Sequence, residues 1–199
     1  MSEKYLVFTG RPNAGKSSII REMLGLDVKT GKSPGTTRWI HEYPLSKGLI
    51  LVDTPGYGRA RGVSKRFQEK NNRRIIYFLE SSAPKIALVV HVLDISNFAQ
   101  VTERLGKKGF ISVDVEMLSL LAKDVGEFPF VAANKIDKVD KETVDSNLKE
   151  LEQEIEANRY SSEGCIFPVS ARTGYGLGVL KNAIHEKLVG KGYSTPFKS

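Results

Sequence analysis

Gly10-Arg11-Pro12-Asn13-Ala14-Gly15-Lys16-Ser17 runs from an apolar stretch, residues 5–9, into an amphipathic one, residues 17–24. The octapeptide fits the spacing G-x-x-x-x-G-K-[ST], and a strand before it with a helix after it is the context this spacing needs to bind phosphate. Glycines let successive backbone N–H groups turn inward around an anion, and the helix N-terminus adds its partial positive charge. Lys16 is then placed to bridge the outer phosphates of a nucleotide, the Ser17 hydroxyl to ligate Mg²⁺, and Ser18 follows at the same helix start. The competing reading, a glycine-rich turn without a ligand, leaves the flanking strand and helix unaccounted for.

Outward from this loop, short apolar runs recur at residues 49–52, 86–93, 128–133 and 166–169. Runs this short and rich in Val and Ile read as strands buried on both faces, as a parallel sheet requires. Helical periodicity fills the later intervals: Val144, Leu148, Leu151 and Ile155 share one face, and Leu177, Leu180, Ile184 and Leu188 repeat the design. Alternating strand and helix predicts an α/β three-layer domain, a mostly parallel sheet with helices on both faces. Residues 38–43 precede the run at 49–52 with only a short turn containing Lys47-Gly48 between them, so these two should pair as a hairpin and make one edge antiparallel. Trp39 and Tyr43 would share a face of that strand and pack. The 199 residues, 40% apolar and 27% charged, suit one domain over residues 1–199. Residues 28–37 and 56–65 read as mobile loops, and residues 96–112, with Arg104, Lys107 and Lys108, as a third long excursion.

Asp53-Thr54-Pro55-Gly56 follows the run at residues 49–52. A carboxylate at the end of a buried strand needs a counter-charge to stay ionised, and Mg²⁺ supplies one. The Gly56 N–H can then meet a γ-phosphate. Alone these four residues are a plain turn; behind a phosphate loop they read as a metal and γ-phosphate motif. Asn134-Lys135-Ile136-Asp137, after the run ending at Ala133, selects the base. Guanine offers an N1–H and an exocyclic amine that Asp137 can accept together, whereas adenine would leave the carboxylate unpaired. Asn134 can bond the guanine edge and brace the phosphate loop, and the Lys135 stem can lie over the ring. Ser170-Ala171-Arg172 offers a backbone N–H for the guanine O6. Together these motifs predict a GTPase.

With these residues in view, the sequence resembles the Era/EngA/EngB group of GTPases, and most closely the EngB (YihA/YsxC) family, over nearly its whole length. The resemblance rests on residues 10–18, on Pro34-Gly35-Thr36-Thr37, and on Gly56-Tyr57-Gly58-Arg59-Ala60-Arg61-Gly62-Val63-Ser64-Lys65, which is similar to the family's glycine-tyrosine-glycine second switch. It implies a Ras-like P-loop GTPase domain with switch I near residues 28–37 and switch II near 56–65. It also implies hydrolysis of GTP to GDP and phosphate, and a part in late assembly of the large ribosomal subunit. Where bacterial members often have Thr-Lys-x-Asp, this chain has Asn134-Lys135-Ile136-Asp137. The excursion at residues 96–112 is longer than theirs, which would suit an archaeal or otherwise divergent ribosome.

The same resemblance makes Thr37, three residues after Pro34, the switch hydroxyl on Mg²⁺, with Thr36 as the fallback and Gly35 beside them at the nucleotide. A plain Pro-Gly turn is the alternative there. Ser17, Asp53 and Thr37 thus form the expected Mg²⁺ set, and Lys16, Thr37 and Gly56 the expected catalytic set. Ras-like GTPases orient the attacking water with a glutamine directly after Asp-x-x-Gly. Tyr57 stands there and cannot act as that amide, so intrinsic turnover should be slow. Related GTPases with Asn at the position of Asn13 use K⁺; Asn13 as a K⁺ ligand and Asn13 as a turn residue are both open readings.

The net charge of +7 suits an anionic partner, nucleic acid or an acidic membrane surface. Arg59, Arg61, Lys65, Arg66, Lys70, Arg73 and Arg74 form either a nucleotide-gated surface for ribosomal RNA or a solvated helix face. The expected partners are GTP and GDP and the large subunit or its RNA, with the chain a monomer. No apolar run approaches the roughly 18 residues of a membrane span, and neither a signal peptide nor a lipidation motif is evident, so a cytoplasmic location without a membrane partner is expected. The alternatives are a phosphotransferase acting on a small molecule, which would have no use for residues 134–137, and a GTPase at a membrane or cell-division surface. The single cysteine, Cys165, excludes a disulfide and reads as a buried apolar residue. His91 reads as a hydrogen-bonded core residue rather than a base, and His41 and His185 lack ligand partners at metal spacing.

Overall fold

In the computed structural model, which describes residues 3–28, 39–59, 62–193 and 196–197, five strands run in parallel. These are β1 (Lys4–Gly10), β3 (Leu49–Asp53), β4 (Ile86–Asp94), β5 (Phe130–Asn134) and β6 (Ile166–Pro168), and β2 (His41–Ser46) pairs antiparallel with β3. Their order across the sheet is β2-β3-β1-β4-β5-β6. The chain passes from one side of β1 to the other between β3 and β4. Loops leaving the carboxyl ends there diverge and open the crevice in which α/β sheets bind ligands. The phosphate loop leaves β1 at that point.

Alternation along the strands divides the core. Leu6 and Phe8 face one side, where α1 (Lys16–Leu24) and α6 (Leu177–Gly190) add Ile19, Ile20, Met23, Leu177, Leu180, Ile184 and Leu188. Val7, Val52 and Val89 face the other side, covered by Ile75 and Leu79 of α2 (Lys65–Ser82) and by Met117 and Leu121 of α4 (Val113–Val125). Leu151 and Ile155 of α5 (Lys141–Ala157) continue that layer over Leu93 and Val131. The three-layer α/β fold expected from the sequence is present, and each such Leu or Ile contributes about 1.5–3 kcal/mol of burial. Among the described residues no helix is long and apolar enough to cross a membrane.

Four expectations are corrected. Residues 96–112 are not a structureless excursion: a short turn, Ile95–Asn97, leads into α3 (Phe98–Gly106), which buries Phe98 and Thr102. Asn147 of α5 fastens it, accepting from Ala99 N at 3.1 Å and donating to Ile95 O at 2.8 Å. The hairpin strand is shifted to His41–Ser46, and Pro44 lies inside it, tolerated because β2 is an edge strand. Trp39 therefore precedes the strand and does not pack beside Tyr43; it is 61% exposed, with the Arg74 guanidinium 4.5 Å from its ring centre. Cys165 is half-buried rather than buried, because it enters an edge strand; burial still pushes its thiol upward. Pro34, Gly35, Thr36, Thr37, Ala60 and Arg61 lie outside the described residues, and with them most of the stretch expected to be the first switch.

Candidate functional site

Gly10 ends β1 at φ 142°, where a Cβ would stand 2.1 Å from Val92 O, so only glycine lets the loop leave the sheet this close to β4. Asn13, at φ 63°, and Gly15, at φ 105°, are both left-handed and curl the loop toward the start of α1. Lys16 is 6% exposed, and among the described residues its Nζ has only long hydrogen bonds, 3.4 Å to Gly10 O and 3.5 Å to Arg11 O. Burial pulls its ammonium below the ordinary value, against the charges of Asp53 and Asp114.

Asp53 ends β3 fully buried. Its Oδ2 accepts from Ser17 Oγ at 2.9 Å, while Oδ1 has no hydrogen-bond partner among the described residues. Burial pushes its carboxyl upward, opposed by the Lys16 charge, the Ser17 hydrogen bond and His41. Both charged forms are thus penalised by desolvation, and an anion at Lys16 with a cation at Asp53 would relieve both.

The following segment is pinned rather than loose where it is described. A Cβ on Gly56 would lie 2.5 Å from Pro12 N. Gly56 O accepts from Asn71 Nδ2 at 3.1 Å, Tyr57 N donates to Gly10 O at 3.0 Å, and Gly58 N donates to Asn72 Oδ1 at 3.0 Å. The Tyr57 ring packs beside the core cluster that contains Val7 and Val52. Thr54 is occupied structurally, its hydroxyl donating to Phe8 O at 3.0 Å.

At the far side of the loop, Asn134 is 2% exposed and uses both ends of its amide. Its Nδ2 donates to Ala14 O at 2.8 Å and its Oδ1 accepts from Ala171 N at 3.0 Å, tying the phosphate loop to the loop after β6. Gly15 must be glycine here too, since a Cβ would meet Asn134 Nδ2 at 2.2 Å. Asp137 accepts from Ser170 Oγ at 2.6 Å and lies 3.5 Å from the Arg172 guanidinium. Lys135, at φ 72°, donates to Asp94 Oδ2 at 2.5 Å. Burial raises the Asp94 carboxyl, but Lys135, Ser96 and Lys138 outweigh it and hold it below the ordinary value. Asn13, Gly15, Ser18, Asn134, Lys135, Asp137, Ala171 and Arg172 surround a cleft of about 510 Å³, within the range of small-ligand sites.

Sequence reasoning missed the residues that steady this site. Asp94 fixes Lys135, and Asn71 and Asn72 grip residues 56–58. Below the loop, His91 is 1% exposed between Thr9 Oγ1, 2.8 Å from Nδ1, and Asp114 Oδ1, 3.2 Å from Nε2. Asp114 in turn lies 3.8 Å from Arg11. His91 is the hydrogen-bonded core residue expected of it. Only Asp94 left a readable signal, an acid closing a buried strand as Asp53 does.

Residues 5–135 match the family described as 50S ribosome-binding GTPase. The EngB GTP-binding protein of Methanopyrus kandleri is 36% identical over 192 residues, 94% of each chain. The chain belongs to the EngB family of GTPases. A second EngB relative, from Methanococcus maripaludis, is 32% identical over 186 residues, covering 92% of this chain and 80% of its own. The crystal structure of an EngB GTP-binding protein superposes with a TM-score of 0.80 at 30% identity, covering 94% of this chain and 99% of that one. The chain is accordingly an EngB-type GTP-binding protein and a GTP-hydrolysing enzyme, with the P-loop GTPase fold.

Proposed function

We propose that this EngB GTPase is a nucleotide-controlled switch in assembly of the large ribosomal subunit, binding ribosomal RNA through α2. The observation that carries the partner is one helix face. Arg66, Lys70 and Arg73, spaced four and three residues apart, are all exposed on α2, which begins nine residues after Gly56. Arg59, Lys65 and Arg74 extend this surface, and Arg61 belongs to the same set outside the described residues. The matched family, described as 50S ribosome-binding, supports the same partner.

In this reading Gly10, Arg11, Pro12, Asn13, Ala14, Gly15, Lys16, Ser17 and Ser18 cradle the phosphates. Asn134, Lys135, Asp137, Ser170, Ala171 and Arg172 hold guanine. Gly35, Thr36 and Thr37 close over the nucleotide from the first switch, and Lys16, Thr37 and Gly56 stabilise the reacting γ-phosphoryl group. Asp53 Oδ1, without a partner among the described residues, and Ser17 Oγ beside the same carboxylate are hard oxygens that fit Mg²⁺. When bound, Mg²⁺ supplies charge neutralisation of the phosphate oxygens. Asn13 stands where its side-chain oxygen could hold K⁺, in place of the charge or amide that Tyr57 does not provide. The chain then works in the cytoplasm as a one-domain monomer with slow intrinsic turnover.

Sedimentation with large ribosomal subunits tests the partner. Retention should be stronger with a non-hydrolysable GTP analogue than with GDP and should fall steeply with salt, as expected when several phosphates are neutralised. Charge reversal at Arg59, Arg61 and Lys65 should flatten the salt dependence without changing GDP affinity. Equal retention in both nucleotides, or normal retention of the reversed variant, would contradict the reading.

A further inference from the structure

We propose that Asn71 and Asn72, adjacent on α2, are positioning residues that couple the γ-phosphate glycine to the basic face of that helix; the inference rests on the switch reading above. Three successive residues, through two peptide units, are held in alternation. Asn71 Nδ2 donates to Gly56 O, Tyr57 N donates to Gly10 O of the phosphate loop, and Gly58 N donates to Asn72 Oδ1. The middle bond belongs to the nucleotide site and the outer two to α2.

Gly56 has no room to move toward the loop, because even a Cβ there would stand 2.5 Å from Pro12 N and 2.6 Å from its Cα. A displacement that presents its N–H to a γ-phosphate is therefore taken up by the segment and by whatever grips it. The two asparagines project about 100° apart around the helix, so they hold the segment from two directions rather than twice from one. They meet α2 in its second turn, whereas the chain itself reaches the helix only at Lys65. Arg73 and Arg74 follow directly, so the grip is built into the stretch that carries the basic face.

Asn71 Oδ1 adds a reason for two arrangements. It is buried and has no hydrogen-bond partner among the described residues. An amide paired through one end only is a weak commitment to this state, since a buried unpaired acceptor carries a desolvation penalty. Each of the two contacts is worth roughly a 2- to 12-fold factor in an equilibrium constant. Together they span the range of couplings that link two sites in one protein, about 5- to 150-fold.

The test is amide hydrogen exchange of residues 65–82 in the full chain with Mg²⁺, comparing GDP with a non-hydrolysable GTP analogue. Emission of Trp39, the chain's single tryptophan, serves as a second readout because Arg74 of α2 lies over it. In the wild type, opening of α2 should differ at least about fivefold between the nucleotides. In Asn71→Ala/Asn72→Ala the difference should fall below about twofold, while the affinities for both nucleotides stay within about threefold of wild type. Single aspartate variants decide the point if the double variant fails to fold. Asn72→Asp keeps an acceptor for Gly58 N–H and should retain the coupling; Asn71→Asp loses the donor to Gly56 O and should lose it. Lower protection of α2 by the same factor in both nucleotides, with the difference intact, would overturn the proposal, as would equal behaviour of the two aspartate variants. A wild type with no nucleotide-dependent difference would instead remove the switch reading itself.

Discussion

At the base end of the cleft, Asn134 is bonded to both Ala14 and Ala171, and Asp137 is held between Ser170 and Arg172. At the phosphate end, among the described residues, Asp53 keeps an oxygen without a partner and Lys16 Nζ makes no hydrogen bond shorter than 3.4 Å. The first arrangement is finished by the protein alone, and the second is finished by its ligand. A pocket whose acceptors are already oriented discriminates strongly, because a wrong base meets groups that cannot turn to suit it. A region whose charges are buried and half-paired responds to what binds, since the ligand relieves a penalty that the protein cannot relieve itself. On the proposed reading, selection of the base and response to the γ-phosphate fall in different parts of one site, joined by Asn134 at the phosphate loop.

The largest effect expected is at the base end. Asp137→Asn should lower guanine-nucleotide affinity by about 10⁴-fold and raise preference for xanthosine nucleotides, whose C2 carbonyl accepts from the new amide. Competitive binding of GDP and xanthosine diphosphate measures this, and GDP binding like wild type would remove the base-pocket assignment.

A smaller effect separates the ends from within the phosphate loop. GTP turnover at saturating Mg²⁺ should be about tenfold faster in K⁺ than in Na⁺ at equal ionic strength, a barrier difference of about 1.4 kcal/mol. Asn13→Ala should erase that difference while leaving base preference alone. Equal rates in the two salts, with stimulation only by ribosomal particles, would place the missing catalytic charge in a partner.

The smallest effect concerns stability. Because burial holds the Asp53 carboxyl above its unfolded value, the ionised group destabilises the nucleotide-free fold. That penalty is absent in acid, where the group is protonated in both states, and grows as pH rises from the unfolded value through the folded one. Asp53→Asn should therefore raise the thermal midpoint of the free protein near neutral pH, by about 2–4 °C for each kcal/mol gained. The gain should vanish in acid, and Mg²⁺-dependent turnover should be lost. Scanning calorimetry at both pH values checks the sign; a lower midpoint at neutral pH would show that the phosphate end is already satisfied.

What was legible in the sequence was what spacing along the chain encodes. Residues 10–18, Asp53 to Gly56 and Asn134 to Asp137 each sit at a strand end, and the apolar run before each motif announces its place. Helix α3 was hidden because it buries only Phe98 and Thr102, too few for a readable apolar stripe. Its anchor, Asn147, lies far along the chain in α5. Pro44 disguised β2, since proline reads as a strand breaker until the strand is known to be an edge. Asn71, Asn72 and Asp114 act through tertiary neighbours that no local pattern predicts.

The most direct test of the divided site is amide exchange at residues 134–137 and 170–172 against residues 56–58, in the free, GDP-bound and GTP-analogue-bound protein. The account predicts that the base-end amides are protected already in the free protein and change little between GDP and the analogue. It predicts that the amides of Gly56 and Gly58 change chiefly when the γ-phosphate is present. Base-end amides that gain protection only on binding, with residues 56–58 indifferent to the γ-phosphate, would contradict it.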